Sequence, residues 1–220
     1  MRRPLIINFK NYIEASGERT IELAKAAEKV AESLRTEIVL APPQAAAALV
    51  SRSVSIPVIC QHLDTSEPGS TTGFFVPEIA RSYGVAGSIL NHSEHRIDLP
   101  AISSLVRRMR RLGMTSIVCA QTPREVKHIA ELNPDFIAIE PPELIGTGRA
   151  VSKENPSVIT ESIRAAGSAR SHIICGAGIS DQTDVSTAMR LGSQGILVAS
   201  GVIKAAKWQE KIAELAQGME

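Results

Sequence analysis

The chain has 220 residues, 44% of them hydrophobic, enough for a domain that buries about 70–75% of its unfolded surface. Basic side chains number 24 and acidic ones 23, so the formal net charge of +1 gives no long-range pull toward nucleic acid or an anionic membrane. The three cysteines show no C-x-x-C spacing, which argues against a zinc site and for buried reduced thiols in a soluble, cytoplasmic protein. No run approaches the roughly 18 apolar residues of a membrane helix, and the apolar stretch in MRRPLIINFK is too short for a signal sequence.

Eight short apolar runs alternate with eight helical segments. LIINF (5–9) comes first and carries Asn8 and Lys10 at its end. Segment 18–34 follows, with Ile21, Ala24, Ala27, Val30 and Ala31 on one helical face. EIVLA (37–41) precedes a helix at 44–51, and IPVICQ (56–61) leads into a long polar segment, HLDTSEPGSTTGFFVP (62–77). A helix at 76–82 and the run AGSIL (86–90) come next, then the polar cluster Asn91, His92, Ser93 and Glu94. Helix 101–112 stops at Gly113, TSIVCA (115–120) ends beside Gln121, and helix 123–132 leads to DFIAIE (135–140). That run closes on a carboxylate, Glu140, followed by two prolines and the loop E-L-I-G-T-G. Helix 156–166 stops at Gly167, and HIIC (172–175) opens into Gly176-Ala177-Gly178. Helix 181–191 stops at Gly192, and GILVA (195–199) runs into Ser200-Gly201 and a short helix in VIKAAK. Helix 207–217 is the last.

Apolar runs with little polar alternation are the mark of parallel strands covered on both faces. Two closures fit the alternation: an open doubly wound sheet, or a (β/α)8 barrel. Eight near-equal units in 220 residues favour the barrel, an α/β single domain over 1–220. In such a barrel the chemistry lies at the C-terminal strand ends, where a carboxylate (Glu140), an imidazole (His92), an amine (Lys10) and two glycine-rich turns converge. Each has a plainer reading. Glu140 fits a capping or ion-paired glutamate, and His92 a hydrogen-bonded structural histidine. A His92–His95 metal pair has no second ligand pair to support it. G-T-G-R-A-V lacks the third glycine of a dinucleotide loop, and no phosphate-loop motif occurs. RRMRR (107–111) reads as a solvated outer helix face, since a nucleic-acid site calls for a basic excess across the domain. Trp208 reads as packing.

The motifs N-F-K (8–10), N-H-S-E (91–94), I-E-P-P-E-L-I-G-T-G (139–148) and C-G-A-G-I-S (175–180) occur in strand order along the chain. Together they resemble the triosephosphate isomerase family in its compact archaeal form. Against the bacterial and eukaryotic pattern, Asn91 replaces a glycine, His95 an arginine, P-P-E-L replaces P-V-W-A and C-G-A-G replaces Y-G-G-S. The resemblance implies interconversion of dihydroxyacetone phosphate and glyceraldehyde 3-phosphate, without metal or cofactor. It assigns Glu140 as base, His92 as electrophile, Lys10 as the cation beside the enediolate and Asn8 as its orienting amide, with Glu94 anchoring Lys10. It places the phosphate beside the Lys10 cation, on Ile145 and Gly146 of a mobile lid, on Ala177 and Gly178, and on Ala199 and Ser200, with the Asn8 amide also on the substrate. It also implies a homodimer or homotetramer, with segment 62–77 and its Thr72-Gly73 tip reaching into a partner.

Overall fold

The structure, a computed structural model, describes residues 3–219. Its eight strands are β1 (Leu5–Asn8), β2 (Ile38–Ala41), β3 (Ile59–Cys60), β4 (Gly87–Leu90), β5 (Thr115–Ala120), β6 (Phe136–Ile139), β7 (His172–Cys175) and β8 (Ile196–Val198). All pair in parallel, in the order β2-β1-β8-β7-β6-β5-β4-β3. A single bridge between Leu40 and Val58 brings the two ends together, so the expected barrel forms and the open sheet is excluded. Leu40 N donates to Pro57 O at 2.9 Å across that seam. Proline has no amide to return, which is why the expected strand 56–61 shrinks to two residues.

The helices are α1 (Glu18–Leu34), α2 (Ala47–Ser53), α3 (Pro77–Ser82), α4 (Leu99–Arg111), α5 (Pro123–Ala130), α6 (Val151–Glu154), α7 (Pro156–Ala166), α8 (Gln182–Arg190), α9 (Ser200–Ile203) and α10 (Trp208–Gln217). One short helix, α6, adds to the expected segments, the short helix expected in VIKAAK forms earlier, as α9, and the start of segment 44–51 is a 3-10 turn at Gln44–Ala46. Caps set the boundaries. Asp98 accepts from Ala101 N at 2.8 Å and starts α4 two residues ahead of the expected position. Asp181 and Asp184 form a reciprocal capping box on α8.

Strand side chains alternate between two apolar layers. Ile6, Val39, Ile59, Ile89, Ile117, Phe136, Ala138, Ile174 and Leu197 fill the barrel interior. Their strand neighbours face the helices, for example Ile7 and Leu40 against α1 and α10, and Val118 and Ile137 against α4 and α5. The three cysteines are free and buried, as expected. Burial pushes the Cys60 and Cys175 thiols up to about 12, far from the reactive thiolate. Trp208 packs against the core, donates Nε1–H to Ile203 O at 3.1 Å and carries the Arg19 guanidinium 4.9 Å from its ring.

The arginine run corrects an expectation. Arg107, Arg110 and Arg111 are exposed, but Arg108 is only 3% exposed and holds no solvated face. Its Nε donates to Glu78 Oε1 at 2.7 Å, its Nη2 pairs with Glu78 Oε2, and its Nη1 donates to Thr65 O at 3.1 Å. The charge is buried because its partners arrive from α3 and from segment 62–77. Asp64, next to Thr65, ties the two ends of that segment together: its amide donates to Phe75 O at 2.9 Å and its Oδ2 accepts from Phe75 N at 2.7 Å. Among the described residues no helix is long and apolar enough to cross a membrane.

Candidate active site

The two-residue period of the strands decides which side chains reach the rim. Two positions beyond Ile6, Ile89, Ala138, Ile174 and Leu197 of the interior layer stand Asn8, Asn91, Glu140, Gly176 and Ala199. All but the buried Asn91 line a cavity of about 300 Å³, lined also by Lys10 and His92, by Ile145 to Gly148, and by the turns after β7 and β8. That volume is at the small end of ligand sites, which span about 300–1,000 Å³.

Glu140 follows β6 directly. Its amide donates to Ala120 O at 2.9 Å, and the side chain is 4% exposed. Oε2 has no hydrogen-bond partner and lies 3.6 Å from His92 Nε2. Desolvation raises the Glu140 carboxyl above the ordinary carboxylate range, while His92, the Cys119 thiol and Lys10 pull it back toward the charged form. Burial and the neighbouring carboxylate push Cys119 itself well above the ordinary thiol value. Gly176 presses on the same side chain: a Cβ there would come within 2.5 Å of Glu140 Cγ. An unpartnered, desolvated carboxylate oxygen in a cavity fits a general base far better than a cap or a surface ion pair.

His92 sits in the turn after β4, where Asn91 takes a left-handed φ of 59°. Glycine adopts that region freely; asparagine is one of the few other residues that enters it readily. Here Asn91 is also bonded from both ends, Nδ2 donating to Cys119 O at 2.9 Å and Oδ1 accepting from Ile97 N at 3.1 Å. Asparagine therefore does the backbone work of the glycine it replaces and adds two struts. His92 Nδ1 accepts the Glu94 amide at 3.2 Å, so its lone pair is engaged and the ring proton belongs on Nε2, facing the cavity. His95 does not join His92 as a ligand pair. Its ring stacks on His62 at 3.9 Å, and among the described residues no cluster of His, Cys, Asp or Glu is arranged to hold a metal.

Lys10 is likewise left-handed, φ 49°, and Asn8 Oδ1 accepts its amide at 3.0 Å. Gln61 Nε2 donates to Lys10 O at 3.0 Å from the barrel seam. Lys10 Nζ meets Glu94 Oε1 at 2.7 Å. Asn8, Lys10, His92 and Glu140 are thus brought together, with Glu94 touching two of them.

The opposite wall is mostly backbone. Ile145, Gly146, Gly178, Ala199 and Ser200 all line the cavity, as expected. Ala177 does not line it. Its side chain is fully buried and its carbonyl accepts Val151 N at 3.2 Å, so it braces the segment after the lid. Lys153 of α6 reinforces that brace through Asp184 Oδ1 at 2.6 Å. The loop between Glu140 and α6 begins with a 3-10 turn at Pro142–Leu144, and Leu144 is buried against the core. Gly176 and Gly201, read from the sequence only as members of the two rim turns, also line it, and Ile179, Ser180 and Lys204 join them unforeseen. Gly176 and Gly201 were readable as glycines at strand ends, whereas nothing local marks Lys204 or Ser180.

Comparison with known proteins agrees with the geometry. The family model described as triosephosphate isomerase matches residues 4–216. A triosephosphate isomerase from Cenarchaeum symbiosum (strain A) is 48% identical over 216 residues, 98% of this chain and 97% of the relative. One from Methanocaldococcus jannaschii is 43% identical over 213 residues, 96% and 97% of the two chains. One from Pyrobaculum arsenaticum is 44% identical over 215 residues, 97% and 96%.

Proposed function

The chain belongs to the triosephosphate isomerase family, and from that premise we propose how its residues divide the work. The reaction is the aldose–ketose isomerisation of dihydroxyacetone phosphate and D-glyceraldehyde 3-phosphate through an enediolate, a step of glycolysis and gluconeogenesis. A carbon-bound proton beside a carbonyl is removed and returned to the neighbouring carbon.

Glu140 takes that proton. The single observation that carries the assignment is its orphan Oε2, buried at the cavity wall and 3.6 Å from His92 Nε2. Desolvation makes the carboxylate a stronger base than it is in water, nearer the operating pH. His92 donates from Nε2 to the substrate carbonyl oxygen, and the Glu94 amide on Nδ1 keeps it in that tautomer. Lys10 places its ammonium by the developing oxyanion, seated by Asn8 behind and Glu94 beside. The phosphate is gripped by amides of Gly146 and Gly178, with Ile145 at the wall beside them, and by those of Ser200 and Gly201, the first of α9, which have no acceptor within the helix. Segment 143–148 is the lid; this family is the standing example of a loop whose closure excludes water from the reaction. Pro141 and Pro142 stiffen its leading edge.

A Schiff-base aldolase reading asks Lys10 for a free amine. Here its Nζ is instead tied to Glu94 Oε1 at 2.7 Å. A coupled isomerase assay on Glu140→Asp and His92→Gln, with phosphoglycolate as inhibitor, tests the roles. Near-wild-type rates in both variants would refute them.

We also propose self-association as a dimer or tetramer and a cytoplasmic location. Supporting the first are Phe74, Phe75, Ile79 and Tyr83, each 40–54% exposed on and after segment 62–77. Supporting the second are the three free thiols. Light scattering and cell fractionation are the respective checks.

A further inference from the structure

We propose that Lys204 is a substrate-binding residue: its ammonium, held over the Tyr12 ring, supplies the uncompensated positive charge that receives the phosphate dianion. The inference rests on the reading of the cavity as a triose phosphate site and adds a contact which that reading leaves out.

The charges on the cavity wall motivate it. Lys10, Lys204 and Glu140 are the lining residues whose side chains ordinarily carry full charge. Lys10 is already paired with Glu94 at 2.7 Å. A phosphate monoester brings about −1.5 to −2 charges at pH 7. Backbone amides offer only partial charges, so the dianion arrives at a wall with one full cation still unspoken for.

Lys204 is that cation. It lines the same cavity as Gly178, Ser200 and Gly201, the backbone assigned to the phosphate. It is exposed, and among the described residues no carboxylate pairs with it. Its own amide donates to Ser200 O at 3.1 Å, which ties its backbone to the turn after β8. An ordinary surface lysine would waver in solvent. This one has its Nζ 5.4 Å from the centroid of Tyr12, and Tyr12 is half-buried against the core. An aromatic face attracts a cation without cancelling its charge. The two lysines thus have different tethers: an exposed carboxylate pairs with Lys10, whereas an aromatic ring holds Lys204 with no anion beside it.

The test uses the full-length protein, with Lys204→Met to keep the aliphatic stem and Lys204→Arg to restore a cation. Steady-state kcat/KM is measured on glyceraldehyde 3-phosphate and on phosphate-free glyceraldehyde, and inorganic phosphate is titrated by calorimetry. Lys204→Met is expected to lower kcat/KM on the phosphorylated substrate about tenfold more than on glyceraldehyde, and to weaken phosphate binding by a similar factor. Lys204→Arg recovers most of both, and Tyr12→Leu produces a smaller loss in the same direction. Equal losses on the two substrates, or an unchanged phosphate affinity in Lys204→Met, would overturn the proposal. The phosphate titration needs no turnover. An inactive wild type whose phosphate binding still depends on Lys204 would count against the isomerase reading and for the anion contact.

Discussion

The two halves of the rim are built by different means. Around β1 and β4 the backbone enters the left-handed region at Lys10 and Asn91, neither a glycine, and side-chain hydrogen bonds from Asn8, Gln61 and Asn91 itself hold it there. Around β7 and β8 the wall is glycine and bare amide. A Cβ on Gly178 would come within 1.9 Å of Arg149 O, and one on Gly201 within 2.6 Å of Ile179 O. The acid–base half needs chemically distinct groups at fixed angles, and accepts conformational strain of about 1–3 kcal/mol per residue to aim them. The phosphate half needs close approach of backbone amides, which a side chain at its glycine positions would obstruct.

The comparison is tested hardest at Glu140. Glu140→Gln keeps the shape and removes the base, and kcat in the coupled assay should fall about 10³-fold or more. Gly176→Ala probes the border between the halves, because its methyl would drive into the Glu140 side chain. A shift of the base by about 1 Å should lower kcat about 10²-fold while KM changes little. A harmless Gly176→Ala would erase the border. Asn91→Gly asks whether the left-handed turn or the two struts matter more for His92. Glycine relaxes the backbone but drops both hydrogen bonds, so kcat should fall about tenfold, with stability by denaturant titration lowered by about 1 kcal/mol. A wild-type kcat would mean that the turn alone suffices.

The smallest effect is one of pH. The folded-state pKa of Glu140 is raised, chiefly by desolvation, so the folded protein holds this proton more tightly than the unfolded chain does. Stability from that proton is complete below the unfolded carboxyl value and is lost as pH rises through the folded one. Glu140→Gln should therefore have the higher Tm at pH 7, and the gain should vanish in acid, as calorimetry would show. In activity the same shift moves the acid limb of kcat/KM above the ordinary glutamate range.

What the sequence disclosed follows the same division. The alternation of apolar runs with helical segments was legible because each strand is covered on both faces, and β5, β7 and α1 fall where they were expected. The side chains of the acid–base half stood out because polar residues that end apolar strands have few other uses. Contacts that depend on elements distant in the chain were hidden. Cys119 looked like one more apolar strand residue, yet the alternation of β5 turns it inward toward Glu140. Ala177 looked like part of a phosphate turn, and the pull of Val151 on its carbonyl turned it away. Arg108 looked solvated because its partners lie 30 and 43 residues earlier.

Those separations have a consequence for the order of folding. Segment 62–77 leaves the ribosome before α4 does, and its link to Arg108 through Thr65 and Glu78 cannot close until α4 has docked. Contacts between such remote positions form late compared with the helices and turns that flank them. A chain halted before Arg108 would carry this loop with its anchor missing. The exposed rings of Phe74 and Phe75 acquire their final setting only when about half of the barrel is in place.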